Sequence, residues 1–140
     1  WIDRCDNWAH SDGLSSIYAQ ALEEMPALVM PTLKKWNNDE NPWKRRQSVV
    51  SLLYYSRLRK ATPNFAIMTA MVEALLDDPE YYVQKGVGWT LREIYNLHPK
   101  QTLDFIEKRV RQISPAAWQA STEKLPTIVK ARLLSQRRKV

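Results

Sequence analysis

The stretch DPEYYVQKGVGWTLREIY occupies residues 78–95 and indicates the fold class of the chain. Asp78 followed by proline is typical of an N-cap and a first helical position, so we predict a helix from about Pro79 to His98. At about 100° per residue, the apolar side chains of this helix gather on one face that a core can bury. They are Val83, Val87, Leu91 and Ile94.

The opposite face of this predicted helix carries Lys85, Trp89 and Arg92. A large indole between two cations is unusual on a solvated face, and it suits a partner that is anionic and has stacked rings. Nucleic acid fits best. Gly86 and Gly88 each cost about 1 kcal/mol relative to alanine inside a helix. We therefore expect some group to approach the backbone closely at these glycines.

The composition fits one domain with a substantial core, since 44% of the 140 residues are hydrophobic. A formal net charge of +6 and a pI near 9.6 suit an anionic partner without identifying it. The single Cys5 excludes a disulfide framework and a CxxC metal site. With His10 and His98 as the remaining soft ligands, we expect no structural zinc ion and no cofactor.

Two further expectations concern the cell compartment and the extent of the chain. No apolar run approaches the ~20 residues that a transmembrane helix needs, and no signal-peptide pattern is present, so we predict a soluble, cytoplasmic protein. The sequence opens at Trp1 in the middle of a pattern. We therefore expect residues 1–140 to be a single repeat domain from the C-terminal part of a longer protein.

Proline, asparagine and aspartate divide the sequence into eight predicted helices, and no segment alternates with period two as a strand would. The first follows Asn7 or Ser11 and ends near Met25, and its apolar side is predicted to carry Leu14, Ile17, Tyr18, Ala21 and Met25. The others cover about 26–36, with a bend at Pro31, then 42–57, 63–76, 79–98 and 99–113, a short segment from 115, and the basic tail. The fold class is predicted to be all-α.

Pairs of these helices repeat along the chain. Residues of matching character recur at a spacing of about 40 residues, which is the range of HEAT-type units. The matched pairs are Asp39 with Asp78, Trp43 with Tyr82, Arg46 with Lys85, Val29 with Met68, and Leu33 with Val72. Such units stack into a curved helical-repeat solenoid whose concave side is an extended binding surface. We predict a HEAT-like solenoid.

Arg46 interrupts the apolar stripe of the third predicted helix, which continues through Val49, Val50 and Leu53. One interpretation is an arginine whose stem covers apolar surface while its charge reaches water. The other is an arginine held by its neighbours so that it grips a phosphate with two hydrogen bonds. The sequence alone leaves both open.

The segment NWAHSD, residues 7–12, places Trp8 and Asp12 four residues apart, on one face if the helix includes them. Aromatic rings attract cations, and a carboxylate stabilises the oxocarbenium-like sugar of glycosidic cleavage. The alternative is that Asp12 caps a helix beginning at Gly13 while Trp8 lies in the preceding loop.

Several segments together resemble the HEAT-like-repeat DNA glycosylases of the DNA alkylation repair (AlkD-like) family. They are NWAHSD at 7–12, NPWKRRQSVV at 41–50, VQKGVGWTLREIY at 83–95 and HPKQTLDFIEK at 98–108. The similarity to that family extends from about Asn7 to Lys108.

The resemblance implies specific roles for seven residues. Asp12, Trp8 and Trp89 would be catalytic, while Arg46, Arg45, Lys85 and Arg92 would bind DNA. The implied reaction is hydrolysis of the N-glycosidic bond of cationic N3- or N7-alkylated purines. The implied partner is double-stranded DNA that contains these lesions. The protein would bind it as a monomer, without a metal ion and without a membrane, and would be associated with the nucleoid while bound. Rival interpretations are a non-catalytic protein that binds damaged or branched DNA, and a helical module that grips an acidic protein.

Other features receive structural interpretations. Tyr54, Tyr55, Trp36 and Trp43 are expected to pack between helices. Cys5 is either a buried small residue or a nucleophile, and residues 137–139 are expected to form a solvated, frayed end rather than a phosphate contact.

Overall fold

The structure is a computed structural model that describes residues 2–139, apart from the side chain of Trp8. Within that range it contains helices and no strand, so the prediction of an all-α chain is confirmed. The helices are α1 (Trp8–Glu24), α2 (Pro26–Trp36), α3 (Pro42–Val50), α4 (Phe65–Glu73), α5 (Tyr81–Leu97), α6 (Pro99–Lys108), α7 (Pro115–Thr122) and α8 (Thr127–Arg138). A 3₁₀ turn precedes α1 at Ile2–Arg4, and a second, Ser56–Leu58, lies between α3 and α4.

Proline and short polar side chains set most helix starts. Proline opens α2, α3, α6 and α7, where its fixed φ suits the first turn and its missing N–H leaves no donor unpaired. Side-chain oxygens of Asn7, Asn41, Asn64 and Ser114 accept backbone N–H groups at the starts of α1, α3, α4 and α7.

The helices stack as repeating pairs, and the predicted helical-repeat solenoid is confirmed. In one layer, α3 packs between α1 and α5, and α5 packs in turn on α7. The repeat extends to single hydrogen bonds, because Asp39 and Asp78 each accept the N–H group two residues further along the chain. The matched aromatic residues Trp43 and Tyr82 stack on each other, with ring centroids 5.6 Å apart.

Helix α5 lies at the centre of the core. The predicted apolar face of Val83, Val87, Leu91 and Ile94 is buried, as expected. A Cβ on Gly88 would lie 2.4 Å from the carbonyl oxygen of Ala117 in α7, and one on Gly86 would lie 3.2 Å from Cγ of Arg46 in α3. The expected close approach to both glycines is therefore real, and the approaching groups belong to the chain itself.

Five predicted helix boundaries are wrong. One is the start of α4, which begins at Phe65 rather than at Pro63, with Asn64 as its cap. Helix α3 ends at Val50 rather than near Arg57, since the chain turns through Tyr54 at φ 47°. Helix α5 begins at Tyr81 instead of Pro79, because the Asp78 carboxylate binds Arg45 and the N–H of Glu80 outside the helix. Helices α4 and α6 both stop short of their predicted ends at 76 and 113.

The predicted apolar side of α1 is also partly wrong. Ile17 and Met25 are 50% and 46% exposed, whereas Ser11 and Ser15 are fully buried. The cause is the side chain of Gln47, which points from α3 into α1 and needs hydrogen-bonding neighbours there. Tertiary pairing overrides the local hydrophobic pattern.

Both ends of the described chain pack against the rest. Cys5 is buried with Ile2 and Leu14, and burial raises the pKa of its thiol, which makes it a poor nucleophile. Arg137 is not part of a frayed end, because its Nη1 donates to the carbonyl oxygens of Val110 and Ile113 at 2.7 and 2.5 Å.

Trp36 and Trp43 pack against the core, as predicted. Across residues 2–139, no helix has both the length and the apolar character needed to cross a membrane.

Candidate functional site

Asp12 and Arg46 form an ion pair between α1 and α3. Nη2 of Arg46 lies 2.9 Å from Oδ1 of Asp12, and Nη1 donates to the carbonyl oxygen of Tyr82 at 2.7 Å. The arginine side chain is 9% exposed, while the carboxylate is 37% exposed. The structure thus brings together the predicted catalytic aspartate, Asp12, and the predicted phosphate-binding arginine, Arg46, with the carboxylate partly exposed to solvent.

A buried polar network fixes these two side chains. Nε2 of Gln47 donates to the carbonyl and hydroxyl oxygens of Ser11, and its Oε1 accepts hydrogen bonds from Ser15 and Ser51. Since Ser11 precedes Asp12 and Gln47 follows Arg46, the network holds the two residues in register. Satisfied buried networks of this kind are rigid.

The structure also decides between the two interpretations of Asp12. Helix α1 begins at Trp8 with Asn7 as its cap, so Asp12 lies inside the helix and does not cap it. Trp8 therefore occupies the first turn, four residues before Asp12. Its side chain lies outside the described part of the chain, so its predicted contact with a lesion stays a prediction.

Trp89 belongs to an aromatic cluster with Tyr54 and Tyr55. Its ring centroid lies 5.9 Å from that of Tyr54 and 5.6 Å from that of Tyr55, and all three rings are half-buried. Burial raises the pKa of the Tyr54 phenol, and the neighbouring charges of Tyr55 and Asp12 raise it further. Tyr54 and Tyr55 thus form one aromatic cluster with Trp89.

The backbone of Tyr54 is strained. Its φ of 47° lies in the left-handed region, which bulky residues rarely adopt and which costs about 1–3 kcal/mol. Such strain is typical of functional sites, and here it turns the aromatic ring toward Trp89 directly after α3 ends.

The three remaining residues predicted to bind DNA differ in whether they form ion pairs within the chain. Arg45 is paired with Asp78 at 2.6 Å, and Arg92 is paired with Glu123 at 2.8 Å. Lys85 is exposed and forms no ion pair with any other residue that the structure describes. It lines a cleft of about 240 Å³ with Arg46, Tyr81 and Tyr82.

No group of three or more histidine, cysteine, aspartate or glutamate side chains within 2–139 is arranged to hold a metal ion. The arrangement instead combines a carboxylate at the surface, a buried guanidinium that orients it, an aromatic surface and an exposed lysine. These groups suit a ligand that has rings, positive charge near the carboxylate and negative charge near the lysine.

A comparison with protein-family models gives one match, the model described as "DNA alkylation repair enzyme", over residues 1–125. The chain belongs to this DNA alkylation repair enzyme family. No curated protein and no solved structure matches it. The matched range runs through α7 and includes all seven predicted site residues.

Membership of the DNA alkylation repair enzyme family identifies the chain as a DNA repair protein with DNA as its substrate class.

Sequence reasoning missed two components of the site. Tyr54 and Tyr55 are expected to pack between helices, and Tyr54 does pack against the core, but their contact with Trp89 is not predicted. Gln47 was not singled out, although a glutamine followed by Ser48 and preceding two valines was an available signal of a polar group entering the core. Both act through contacts with other helices, which the sequence does not display.

Proposed function

We propose that the protein is a DNA glycosylase that hydrolyses the N-glycosidic bond of cationic N3- or N7-alkylated purines in duplex DNA. Its family membership supports repair of alkylated DNA as the setting. The observation that carries the finer proposal is the partly exposed Asp12 carboxylate, held by the buried guanidinium of Arg46.

The chemistry requires little from the protein because the substrate is already activated. When the bond between C1′ and the purine nitrogen breaks, the bonding electron pair leaves with the base and neutralises its positive charge. The sugar is left as an oxocarbenium-like cation. The oxygen of a water molecule then bonds to C1′, and the proton that it loses passes to Asp12 or to solvent.

Asp12 stabilises the sugar cation in this mechanism. The ion pair with Arg46 uses its Oδ1, and no other described group donates a hydrogen bond to Oδ2. Oδ2 is therefore the atom that we assign to the sugar and to the attacking water. A fixed carboxylate stabilises developing positive charge without reorganising, which is the strongest contribution that such a site makes.

Arg46 acts as a positioning residue in this proposal. Both of its terminal nitrogens are occupied, one by Asp12 and the other by the carbonyl of Tyr82. It orients the carboxylate. The contact with DNA phosphate that the resemblance implies for Arg46 passes to Lys85, which opens onto the same cleft.

The aromatic residues recognise the nucleotide. Trp89 and Tyr54 contribute half-buried ring surface, and Trp8 occupies the turn of α1 that precedes Asp12. Ring faces attract a cationic base, and the attraction disappears when the base leaves neutral. Arg45 and Arg92 would contact DNA only from within their ion pairs with Asp78 and Glu123, and the protein works as a monomer without a cofactor.

The Asp12→Asn variant tests the proposal, because asparagine keeps the shape of the side chain and removes its charge. We expect release of 7-methylguanine from methylated duplex DNA to fall by at least about 100-fold, on the scale of lost electrostatic stabilisation. Binding to the same duplex, measured by fluorescence anisotropy, is expected to persist.

Asp77→Asn is the matched control. Asp77 is exposed and bonds to no other residue in the described range, so its charge is removed without disturbing the site. The proposal fails if the unmodified protein releases no base yet binds branched DNA tightly, since the non-catalytic alternative then holds. It also fails if Asp12→Asn and Asp77→Asn release base equally fast.

A further inference from the structure

A second cavity, of about 200 Å³, lies between α1, α2 and the segment that joins α3 to α4. Its walls are mostly apolar, and they include Ala19, Leu22, Pro26, Met30, Leu52 and Ile67. None of the proposed DNA-repair residues lines it. A volume near 150 Å³ suffices for a benzene-sized molecule in other proteins.

Arg59 is one of the few polar residues in these walls. Its side chain is nine-tenths buried, and neither Nε nor Nη1 has a hydrogen-bond acceptor among the described residues. A buried donor without an acceptor is unfavourable, and such groups in native proteins generally have a partner. Two donors of one side chain therefore lack acceptors at the edge of an apolar cavity.

Glu23 balances the charge of Arg59 but accepts no hydrogen bond from its Nε or Nη1. Its Oε2 lies 3.8 Å from Nε, beyond hydrogen-bond distance. The same oxygen accepts the backbone N–H of Lys60 at 2.7 Å, and this bond is the main reason that the pKa of Glu23 is lowered. Glu23 is thus ionised, and its Oε2 is already hydrogen-bonded to the backbone of the loop that follows Arg59. The site lacks an acceptor atom rather than a negative charge.

We propose that this cavity binds a small neutral molecule with an apolar body, the size of one aromatic ring or a short branched chain, and a carbonyl oxygen that accepts from Arg59. The apolar walls bury the body, as in most small-molecule sites. A neutral carbonyl meets the unpaired donors. A carboxylate in the same place would lie beside ionised Glu23 and be repelled.

Three probes that share a benzene ring separate these contributions: benzamide, benzoate and toluene. Each is titrated into the full chain while the methyl resonances of Met30 and Ile67 are followed by NMR. We expect saturable shifts with benzamide and a dissociation constant on the order of 1 mM, typical of a ligand of this size. Toluene and benzoate are expected to bind at least about fivefold more weakly, the factor that one hydrogen bond supplies.

Two variants identify the group responsible. Arg59→Met keeps the apolar stem and is expected to remove the preference for benzamide over toluene. Arg57→Met is the matched control, because Arg57 is exposed and does not line the cavity. Met30→Trp fills the cavity from a half-buried position and is expected to abolish binding of all three probes while the far-UV circular dichroism stays unchanged.

Several results would overturn the inference. They are the absence of saturable shifts, equal affinity for benzamide and toluene, tighter binding of benzoate, or an unchanged preference in Arg59→Met. None of these measurements involves DNA or base release. The inference therefore stands or falls separately from the proposed glycosylase function.

Discussion

The role of Arg46 can be assigned only once its neighbours in the fold are known. In the sequence it is a cation inside an apolar stripe, compatible with either a snorkelling stem or a phosphate contact. In the structure its guanidinium is buried and divided between the Asp12 carboxylate and the Tyr82 carbonyl. Gly86 permits this, because a side chain there would press on the arginine stem.

This geometry predicts the effect of Arg46→Met, which retains the apolar stem and removes the guanidinium. We expect the free energy of unfolding to fall by about 1–2 kcal/mol, since the Tyr82 carbonyl loses its donor while half-exposed Asp12 regains water. Base release is expected to fall as well, because Asp12 is no longer oriented. Urea denaturation followed by circular dichroism measures the first effect.

The salt dependence of DNA binding separates positioning from phosphate contact in the same variant. If Arg46 only positions Asp12, the slope of log affinity against log salt stays unchanged in Arg46→Met. A smaller slope together with unchanged stability would assign Arg46 to phosphate instead.

At the scale of the helices, starts were more predictable than ends and faces. Proline and asparagine fix a start through local chemistry, so the starts of α2, α3, α6 and α7 agree with the sequence. The end of α3 has no glycine to announce it, and Tyr54 adopts the left-handed conformation instead. The buried side of α1 depends on Gln47 of another helix, and no local pattern carries that information.

The glycines offer a prediction about helix packing. Gly88→Ala places a methyl group 2.4 Å from the Ala117 carbonyl oxygen, a contact that backbone atoms cannot relieve by a rotamer change. Overpacking costs about 1–3 kcal/mol and outweighs the gain of about 1 kcal/mol in helix propensity. We expect a clear fall in the midpoint of thermal unfolding, because α5 must move away from α7.

Gly13→Ala is the matched control, since Gly13 lies inside α1 and a Cβ there meets nothing within 4 Å. This substitution is expected to stabilise the protein by about 0.5–1 kcal/mol. Equal stabilisation by both substitutions would contradict the packing of α5 against α7.

Across the whole molecule, the count of 21 lysine and arginine residues overstates the number of cations that are free to contact a partner. The guanidinium groups of Arg45, Arg46 and Arg92 all form ion pairs with carboxylates of the same chain. These pairs are tertiary, joining residues more than thirty positions apart, so the sequence could identify the cations but not their partners. Of the four predicted DNA ligands, Lys85 is the one that reaches solvent without such a pair in the described chain.

Lys85 is therefore expected to contribute most to the electrostatic attraction of duplex DNA. A cation that neutralises one phosphate contributes about 0.9 to the slope of log affinity against log salt. We expect Lys85→Met to lower this slope by about that amount on undamaged duplex, where no reaction complicates the binding measurement. Lys100→Met is the control of equal charge, because Lys100 is an exposed residue of α6, a helix that carries none of the predicted site residues. If both variants lower the slope equally, attraction depends on net charge and not on the surface around Asp12. If Lys85→Met leaves the slope unchanged, the cleft beside Arg46 does not contact phosphate, and the duplex must bind elsewhere.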